Sequence, residues 1–408
     1  MAKPKLRFPE FTDEWKEYRI SEVFDRVANP VIVEKNKYYK QIGIRSHGKG
    51  LFYKEEVTGE ELGNKRVFWI EPDCFVVNIV FAWERAVAKL TEAERGMIAS
   101  HRFPMYKPKD QVLDLDYITE YFITFYGQKI LILASPGGAG RNKTLGQDEF
   151  LKSRIKLPSY VEQKKIAEFL FSMDGLIQVL EEEVAVLEEQ KKGTMQKLFN
   201  REVRFKADDG SEYPEWKNKK LLELCDLIMD GDWIESDDQS ESGIRLIQTG
   251  NIGLGIFHDK RNRAKYISEE TFNRLHCKEV LIGDILVSRL PDPAGRCCIV
   301  PDVLNSKMVT AVDCTIIRIN KSNFHKYVAQ YMGCEKYFSD IRKMLAGGTR
   351  QRISRKNLEQ IIIPTPCYKE QQKIADCLIA YDEAIQIKKE KLEVWKDIKK
   401  GLLQQMFV

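Results

Sequence analysis

The sequence EQKKIA at residues 162–167 recurs as EQQKIA at residues 370–375. The two copies are offset by 370 − 162 = 208 residues. The same offset holds without a gap to the end of the chain, so that Phe199 corresponds to Phe407. A long matched segment at mid-chain and again at the C-terminal end indicates two copies of one unit. The unit is predicted to be a globular body followed by a long helix.

Apolar residues in both segments follow a heptad pattern. They alternate in steps of four and three residues, which is the spacing of a coiled-coil helix. The second copy repeats the pattern from Ile374 and is interrupted by Lys388, for which the neighbouring Ile387 is the expected substitute. We therefore predict two helices of roughly 38 residues, or ~57 Å at 1.5 Å per residue. Each is expected to pack on the other copy; the alternative is that each packs on its own body. The heptad positions of the first helix are Ile166, Leu170, Met173, Ile177, Leu180, Val184 and Leu187.

A glycine lies at the same place near the end of each predicted helix. Gly193 and Gly401 each disfavour the helix by about 1 kcal/mol relative to alanine. Their matched positions predict either close packing or a local bend, and the sequence does not choose between the two.

The repeat extends, more weakly, into the bodies that precede the helices. A Gly-x-Gly-apolar-Phe sequence occurs at 48–52 and again at 253–257, which is typical of a turn that enters a strand. A glycine pair close to basic residues occurs late in each body, at 137–143 and at 347–352. Short strand-like runs mixed with helical stretches predict an α+β body.

The two bodies differ where the helices agree. Residues 42–47 of the first body are IGIRSH, whereas residues 247–252 of the second body are IQTGNI. One scaffold that carries two different polar surfaces predicts two different targets held at a fixed separation.

Composition limits the classes of protein to be considered. A chain of 408 residues with 43% apolar and 31% charged residues is typical of a globular protein with two or three domains. Its net charge of +4 is weak, so a nucleic-acid surface would have to be a local patch. The nine cysteines show no CxxC spacing and the N-terminus has no apolar signal core, which predicts reduced thiols in a cytoplasm. No apolar run approaches the ~20 residues that a membrane span needs.

The sequence lacks the common signatures of catalysis. The Asn/Asp-Pro-Pro-aromatic signature with which adenine methyltransferases hold a flipped base is absent, and residues 137–144 fail the P-loop pattern at its second glycine. The histidines are scattered and only His276 adjoins a cysteine, which does not predict a zinc site. The residues therefore predict a binding protein with no catalytic residue, cofactor or metal of its own.

The chain resembles the specificity subunit of type I restriction-modification systems. The resemblance rests on the helix openings PSYVEQKKIA and CYKEQQKIA, the helix endings KKGTMQKLF and KKGLLQQMF, and the segments LIQTGNIGLGIF and GDILVSR of the second body. It covers essentially the full length, and the duplicated order of body and helix is itself a trait of that family. The first body departs from the pattern, since it lacks the Thr-Gly-Asn-Ile run and has Val-Asn-Ile at 77–79 where the second body has Val-Ser-Arg at 287–289.

The resemblance implies a fold and a function. Two α/β target recognition domains, at 1–157 and 201–364, would be separated by two long antiparallel coiled-coil helices, at 158–200 and 365–408, with pseudo-twofold internal symmetry. Each domain would bind one half of a split site in double-stranded DNA, and the helices would set the spacing and dock two modification subunits. The modification subunits would bind S-adenosylmethionine, and the restriction subunits would bind ATP with Mg²⁺. This chain would therefore be a non-catalytic subunit. The alternatives are the recognition subunit of a combined restriction-methylation enzyme outside type I, and a coiled-coil adaptor that does not bind DNA.

DNA-binding residues are predicted on loops of both bodies, because Arg, Lys, Asn and Gln side chains there can reach base edges and phosphates. The basic residues beside the two glycine pairs are predicted to contact phosphates, and the other candidates to contact bases. The alternative is that many of these side chains satisfy backbone groups of turns. In the first body the candidates are Arg45, Ser46, His47, Lys49, Arg141, Asn142 and Lys143. In the second body they are Gln248, Thr249, Asn251, Ser288, Arg289, Arg350, Arg352, Arg355 and Lys356.

Matched apolar residues at the ends of both helices are the candidates for a partner-binding surface. Interfaces favour aromatic residues and methionine, so these residues are predicted to dock partner subunits or to close the opposite body. Packing within the helix pair is equally compatible with the pattern. The residues are Met195, Leu198, Phe199, Leu402, Leu403, Met406 and Phe407.

Overall fold

The chain forms two compact units, each with a globular body and parts of both long helices. Unit 1 consists of Met1–Glu181 with Glu390–Val408, and unit 2 of Glu182–Lys389. The structure is a computed structural model, and it describes residues 4–137, 143–291, 293–302, 307–348 and 351–408.

The body of unit 1 mixes short strands with short helices. Its strands are β1 (Lys16–Arg19), β2 (Phe24–Val27), β3 (Asn29–Pro30), β4 (Tyr38–Tyr39), β5 (Ile42–Ile44), β6 (Leu51–Tyr53), β7 (Val57–Thr58), β8 (Val67–Trp69), β9 (Cys74–Val77), β10 (Val87–Leu90), β11 (Ile98–Ser100), β12 (Met105–Pro108) and β13 (Arg154–Leu157). Its helices are α1 (Ile20–Val23), α2 (Gly59–Leu62), α3 (Leu115–Ile123), α4 (Phe125–Leu133) and α5 (Gln147–Lys152), with single 3₁₀ turns at Ala82–Glu84 and Glu92–Glu94. The first long helix, α6 (Tyr160–Phe199), follows β13.

A four-stranded antiparallel sheet in the order β10-β9-β12-β2 organises this body. Its strand β9 is an uninterrupted apolar run and is buried on both faces. Phe75 and Val77 point into one core, which also contains α3, whereas Cys74 and Val76 point into a second core on the other face. The alternation of side chains along the strand therefore divides the interior of the body into two layers.

The body of unit 2 repeats this architecture. Its strands are β14 (Lys217–Lys220), β15 (Cys225–Asp230), β16 (Gln239–Ser240), β17 (Ile244–Ile247), β18 (Lys265–Ile267), β19 (Ile285–Ser288), β20 (Cys297–Ile299), β21 (Met308–Thr310), β22 (Cys314–Ile319) and β23 (Ile362–Thr365). Its helices are α7 (Glu269–Arg274), α8 (His325–Tyr331), α9 (Glu335–Lys343) and α10 (Arg355–Glu359), with 3₁₀ turns at Leu221–Leu224, Ser236–Asp238, Thr249–Asn251 and Arg261–Arg263. The second long helix is α11 (Tyr368–Gln405).

The corresponding sheet of unit 2 has the order β15-β22-β19-β20. Read from β2, the sheet of unit 1 has the order β2-β12-β9-β10, so the first, fourth, second and third strands of each set follow one another across both sheets. Strand β19 is buried on both faces, as β9 is. Ile285 and Val287 point into the core that contains α8 and α9, and Leu286 points into the opposite core. The internal repeat and the α+β fold with two α/β domains, as predicted, are confirmed.

In unit 1 the two long helices pack against each other in opposite directions. Lys399 of α11 donates to Asp174 of α6 at 2.7 Å, and Lys396 lies 2.8 Å from Glu181. The residue number rises along α6 while it falls along α11, which defines an antiparallel pair. Ile166, Leu170 and the other predicted heptad positions of α6 are buried or half-buried.

The same antiparallel packing occurs in unit 2, with one correction to the predicted pattern. Lys388 lies 2.8 Å from Glu183, and Lys191 lies 2.5 Å from Asp382. Lys388 is half-buried at its heptad position, whereas Ile387 is 64% exposed. The prediction that Ile387 replaces Lys388 is therefore wrong, because the lysine stem stays at the helix contact while its amine pairs with a glutamate.

The repeated Glu-Gln pair at the start of α6 is buried in unit 1. Glu162 accepts hydrogen bonds from Nε and Nη2 of Arg7, at 2.7 and 2.8 Å. Gln163 accepts from the backbone N–H of Asp114 at 2.9 Å and donates to the carbonyl of Val112 at 3.0 Å. Since Asp114 is the N-cap of α3, the pair fixes the N-terminal segment and α3 to the beginning of the long helix.

The second copy of the pair does the same in unit 2. Glu370 accepts from Nη2 of Arg204 at 2.9 Å and from the indole N–H of Trp216 at 2.9 Å. Gln371 accepts from the backbone N–H of Phe324 at 2.7 Å, directly before α8. A buried carboxylate needs such partners, which gives a physical reason for the repetition of Glu and Gln in the two copies.

The apolar ends of the long helices fill the cores of the bodies. Leu198 and Phe199 are buried in the core of unit 2, where Phe199 packs edge-on against Tyr331 with ring centroids 5.1 Å apart. Met406 and Phe407 are buried in the core of unit 1. Met195, Leu402 and Leu403 are partly buried against the same cores. Of the predicted alternatives, this placement corresponds to closing a body, and the four fully buried side chains offer no surface to a partner subunit.

The two matched glycines lie in uninterrupted stretches of helix. A methyl group added at Gly193 would meet no described atom within 4 Å, and one added at Gly401 would meet only Nε2 of Gln405, at 4.0 Å. Close packing, which was one of the two predicted reasons for these glycines, is therefore wrong.

Replacing Gly193 and Gly401 by alanine is expected to raise the free energy of unfolding by about 0.5–1 kcal/mol for each change, because alanine loses less backbone entropy in a helix. Urea denaturation of the single variants measures this. Gly127→Ala is the opposite control, since its methyl group would lie 2.3 Å from the carbonyl oxygen of Tyr121 and should destabilise the chain. A loss of stability in Gly193→Ala would contradict the open environment described above.

Candidate nucleic-acid interface

In unit 1, four predicted DNA-binding residues lie on the turn between β5 and β6, here called the first loop of unit 1 (45–50). Arg45, His47 and Lys49 are exposed and Ser46 is half-buried. The backbone at His47 has φ of 63° and that at Gly48 has φ of 67°, which makes the turn tight. It therefore presents a guanidinium, an imidazole and an ammonium group on six consecutive residues.

This loop is joined to the segment between β9 and β10, the second loop of unit 1 (78–86). The backbone N–H of His47 donates to the carbonyl of Glu84 at 2.7 Å, and that of Gly48 donates to the carbonyl of Arg85 at 2.9 Å. The Ser46 hydroxyl donates to the Glu84 carboxylate at 2.8 Å. Two loops with exposed polar groups are thus held together mainly by backbone hydrogen bonds.

The segment after the first glycine pair lies beside the second loop of unit 1. Nζ of Lys143 is 5.9 Å from the centre of the Trp83 ring. The structure therefore brings Lys143 to the second loop of unit 1, which is joined to the loop that carries Arg45 and Lys49. Arg141 and Asn142 lie outside the described residues.

In unit 2 the corresponding first loop (248–252) follows β17. Gln248 and Thr249 are half-buried, and Gly250 is exposed. Asn251 is buried; its Oδ1 accepts from the backbone N–H of Gln248 at 3.0 Å and its Nδ2 donates to the carbonyl of His258 at 2.8 Å. The prediction for Asn251 is corrected, because its amide is used inside the turn and does not face outward.

Ser288 and Arg289 also lie inside the body. Ser288 ends β19 and its exposed fraction is 0%. Arg289 has a side chain that is 12% exposed, and its Nη1 donates to the Asp230 carboxylate at 2.5 Å. As they lie in this structure, neither side chain can reach a base edge, so the prediction of base contacts is corrected for both.

The basic segment near the second glycine pair remains at the surface. The Arg352 side chain is 56% exposed, and its Nη1 is 3.8 Å from Asp313. Lys356 is exposed, and Arg355 is half-buried with its Nε 3.2 Å from Glu359. The N–H of Ile353 donates to the carbonyl of Arg289 at 3.2 Å, so this segment lies beside the second loop of unit 2 (289–296, of which Asp292 lies outside the described residues). Arg350 lies outside the described residues.

Sequence analysis missed a basic cluster next to the first loop of unit 2. Lys260, Arg261, Arg263 and Lys265 are all exposed. Arg261 pairs with Asp259 and Lys265 donates to Gln239 at 2.7 Å, while the amine of Lys260 lies against Gly250 of the first loop. Four basic residues within six positions are a sequence signal that would have found the cluster.

Unit 1 has a smaller cluster of the same kind. Lys65 and Arg66 precede β8, and His101 and Arg102 follow β11, the strand paired with β8. The backbone N–H of His101 donates to the carbonyl of Arg66 at 3.0 Å, and all four side chains are exposed. Only the pairing of the strands brings these residues together, so the sequence alone gave no signal of the cluster.

Two buried cysteines of unit 2 are unsuited to nucleophilic chemistry. Burial raises the pKa of Cys298 to about 12 and that of Cys314 to about 11, which keeps these two as neutral thiols. All nine cysteines are free. Within the described part of the chain, no group of three or more His, Cys, Asp or Glu residues could hold a metal ion. In the same residues, no helix has the length and apolar character needed to cross a bilayer.

Fold and surface together define an internally duplicated binding protein whose two similar bodies carry different polar and basic loops. The protein-family model for the type I restriction modification DNA specificity domain matches this chain twice, at residues 12–189 and 213–395. The chain belongs to this family, and it is a DNA specificity subunit of a type I restriction-modification system. Members of the family are non-catalytic subunits.

Two curated relatives come from Methanocaldococcus jannaschii. The type I restriction enzyme MjaVIII specificity subunit is 25% identical over 422 aligned positions, which cover 98% of this chain and 92% of the relative. The putative type I restriction enzyme MjaX specificity subunit is 24% identical, with 98% and 94% covered.

Two solved structures share the fold. The type I restriction-modification system S subunit from M. genitalium aligns with a TM-score of 0.60 at 14% identity, covering 100% of this chain and 99% of that one. A chain from a structural study of complex assembly and conformational transition of the type I R-M system aligns with a TM-score of 0.56 at 17% identity, with 98% of each chain covered.

Proposed function

We propose that each body binds one half of a bipartite DNA site and that α6 and α11 set the gap between the halves. The observation that carries this proposal is the duplicated scaffold with unlike loops. The same sheet order supports both bodies, while the side chains on the corresponding first loops differ. A protein that needed two identical half-sites would gain nothing from two different loops.

The chemistry of the first loops favours different bases. Arg45 and Lys49 of unit 1 can donate to the O6 and N7 acceptors of guanine, whereas Gln248 of unit 2 can both donate to and accept from adenine. The basic clusters around Arg66 in unit 1 and Lys260 in unit 2 are suited to phosphates, which position the protein without specifying sequence.

The antiparallel helices support a fixed gap. They contain 40 and 38 residues, which correspond to ~60 and ~57 Å of helix. Ion pairs join α6 to α11 in unit 1 and again in unit 2. A stiff element of constant length would keep the two half-sites at one separation.

Matched apolar side chains on the long helices are proposed to dock two modification subunits. Val179 and Val186 of α6 correspond in the repeat to Ile387 and Val394 of α11, and each is more than half exposed. Equivalent positions in two copies present equivalent surfaces, which suits two copies of one partner. In the cytoplasm, the modification subunits would then bind S-adenosylmethionine, and the restriction subunits would bind ATP with Mg²⁺.

Removing two positive charges from the basic cluster of unit 2 is expected to weaken DNA binding and its salt dependence. For Lys260→Ala with Arg263→Ala, the slope of log affinity against log salt should become less negative by about 1–2, because each phosphate contact contributes about 0.9. Mobility shifts of the complex with its modification subunits, from 50 to 200 mM salt, measure the slope.

The matched control is Lys192→Ala with Lys197→Ala, which removes the same charge from exposed positions of α6 and should leave the slope unchanged. An unchanged slope in the Lys260/Arg263 variant would remove this cluster from the interface. If the unaltered complex shows no DNA binding at low salt, the chain acts as an adaptor and the proposed function fails.

A further inference from the structure

The side chain of Arg296 joins the two loops of unit 2. Its Nε donates to the carbonyl of Ile252 at 2.8 Å and its Nη2 to the carbonyl of Thr249 at 3.2 Å, both on the first loop. Its Nη1 lies within hydrogen-bonding distance of three carbonyls of the second loop. These belong to Leu290 at 3.1 Å, Pro291 at 2.8 Å and Pro293 at 3.2 Å.

The second loop has few donors of its own for these carbonyls; within it, the backbone N–H of Arg296 donates to the carbonyl of Pro293 at 3.4 Å. Pro291 and Pro293 have no N–H group, so two of the donors that a turn would normally use are missing. Arginine supplies five N–H donors in a fixed planar arrangement. Arg296 therefore takes the place of the missing backbone donors. The same side chain also connects the second loop to the first through its bonds to Ile252 and Thr249.

Arg296 forms no ion pair with any of the described residues. No described carboxylate lies within 4.0 Å of this guanidinium, whereas Arg289 and Arg318 of the same body pair with Asp230 and Asp284. The described partners of Arg296 are all neutral backbone carbonyls.

We propose that Arg296 is a positioning residue for sequence recognition by unit 2. It fixes the two loops in one arrangement before DNA binds, so that Gln248 and Thr249 meet the base edges without first being ordered. This inference rests on the proposed function of the bodies as DNA-binding domains. It adds that the selectivity of unit 2 depends on one side chain that itself contacts no base.

Unit 1 provides an internal comparison. Its first and second loops are joined by the backbone bonds from His47 to Glu84 and from Gly48 to Arg85. Apart from proline, which has no N–H group, no side-chain substitution removes those two bonds directly. Selectivity for the half-site of unit 1 is therefore expected to be independent of Arg296.

The test is Arg296→Lys in the complex with its modification subunits. Lysine keeps the charge but cannot donate in several fixed directions. Binding is measured to DNA with the cognate site, with base changes in the half-site of unit 2, and with base changes in the half-site of unit 1. We expect discrimination at the half-site of unit 2 to fall about tenfold or more, with the salt slope and the discrimination at the half-site of unit 1 unchanged.

Arg318→Lys is the matched control, because Arg318 is another partly buried arginine of unit 2 and pairs with Asp284, away from both loops. It should leave discrimination unchanged at both half-sites. Unchanged discrimination in a folded Arg296→Lys complex would overturn the inference. Absence of any half-site discrimination by the unaltered complex would instead overturn the proposed function.

Hydrogen exchange of the unaltered complex without DNA keeps the inference testable if Arg296→Lys does not fold. The backbone amides of Asn251 and His258 donate inside the first loop and its return segment, and we expect their exchange to be at least tenfold slower than that of unstructured chain. Exchange as fast as in an unstructured chain would show that the loops are not ordered in advance and would overturn the inference.

Discussion

Deleting one heptad from both long helices is expected to shorten the gap between the half-sites by about three base pairs and to leave the half-sites unchanged. Seven residues correspond to ~10 Å of helix at 1.5 Å per residue, and one base pair of B-DNA to ~3.4 Å. Deleting 182–188 from α6 together with 387–393 from α11 keeps the heptad register on both sides of the cut and leaves one proposed docking residue on each helix, Val179 and Val394. The ion pairs Asp174–Lys399 and Lys191–Asp382, one in each unit, are retained.

Methylome sequencing of a host that carries the deletion variant with its modification partner reports both half-sites and the gap. The control is Glu181→Gln with Lys396→Gln, which removes an exposed ion pair of unit 1 without changing helix length. Such a pair contributes little, at most about 1 kcal/mol, so the gap should stay the same. A deletion variant that changes the bases of a half-site at constant gap would refute the role of the helices.

The second large effect is expected at the start of α11. Arg204→Ala should lower the free energy of unfolding of unit 2 by about 3 kcal/mol, because it leaves the buried carboxylate of Glu370 with fewer partners. The indole N–H of Trp216 still donates to that carboxylate, which keeps the loss at the lower end of the range for buried pairs. Urea denaturation followed by tryptophan fluorescence measures the change.

Lys206→Ala is the matched control for that variant. Lys206 pairs with Glu212, and both side chains are 64% exposed, so the pair should contribute less than about 1 kcal/mol. If Arg204→Ala is no more destabilising than Lys206→Ala, the repeated Glu at the helix starts does not stabilise the fold in the way described.

The repeat and the helices could be predicted from sequence because their signals are local and regular. Heptad spacing from Ile166 depends only on neighbours three and four positions away, and it places the buried side of α6 correctly. The prediction that Ile387 takes the heptad position of Lys388 was wrong, because hydropathy alone does not consider the facing helix. There Glu183 pairs with the amine of Lys388, so the lysine can stay at the helix contact.

The surface of the bodies was predicted less well, for reasons that differ by residue. Ser288 is polar, but it ends a strand that is buried on both faces, so alternation along β19 defines no outward side. Asn251 was proposed for bases because amides recognise adenine, yet the same amide stabilises the turn that contains it. The part played by Arg296 had no sequence signal, because its partners include carbonyls more than forty positions away.

The basic cluster of unit 2 was overlooked for another reason. Comparison of the two copies draws attention to matched segments, and Lys260 to Lys265 lie in a segment without a similar run in the first body. Differences between the copies are the expected location of target-specific contacts, so the unmatched segments carry as much information as the repeat.

The central claim is that two unlike bodies bind two unlike half-sites at a constant gap. Methylome sequencing of a host that carries the unaltered chain with its modification subunits tests it most directly. We expect one bipartite motif with two different half-sites separated by a fixed number of unspecified bases. A continuous motif, two identical half-sites or a variable gap would contradict the account.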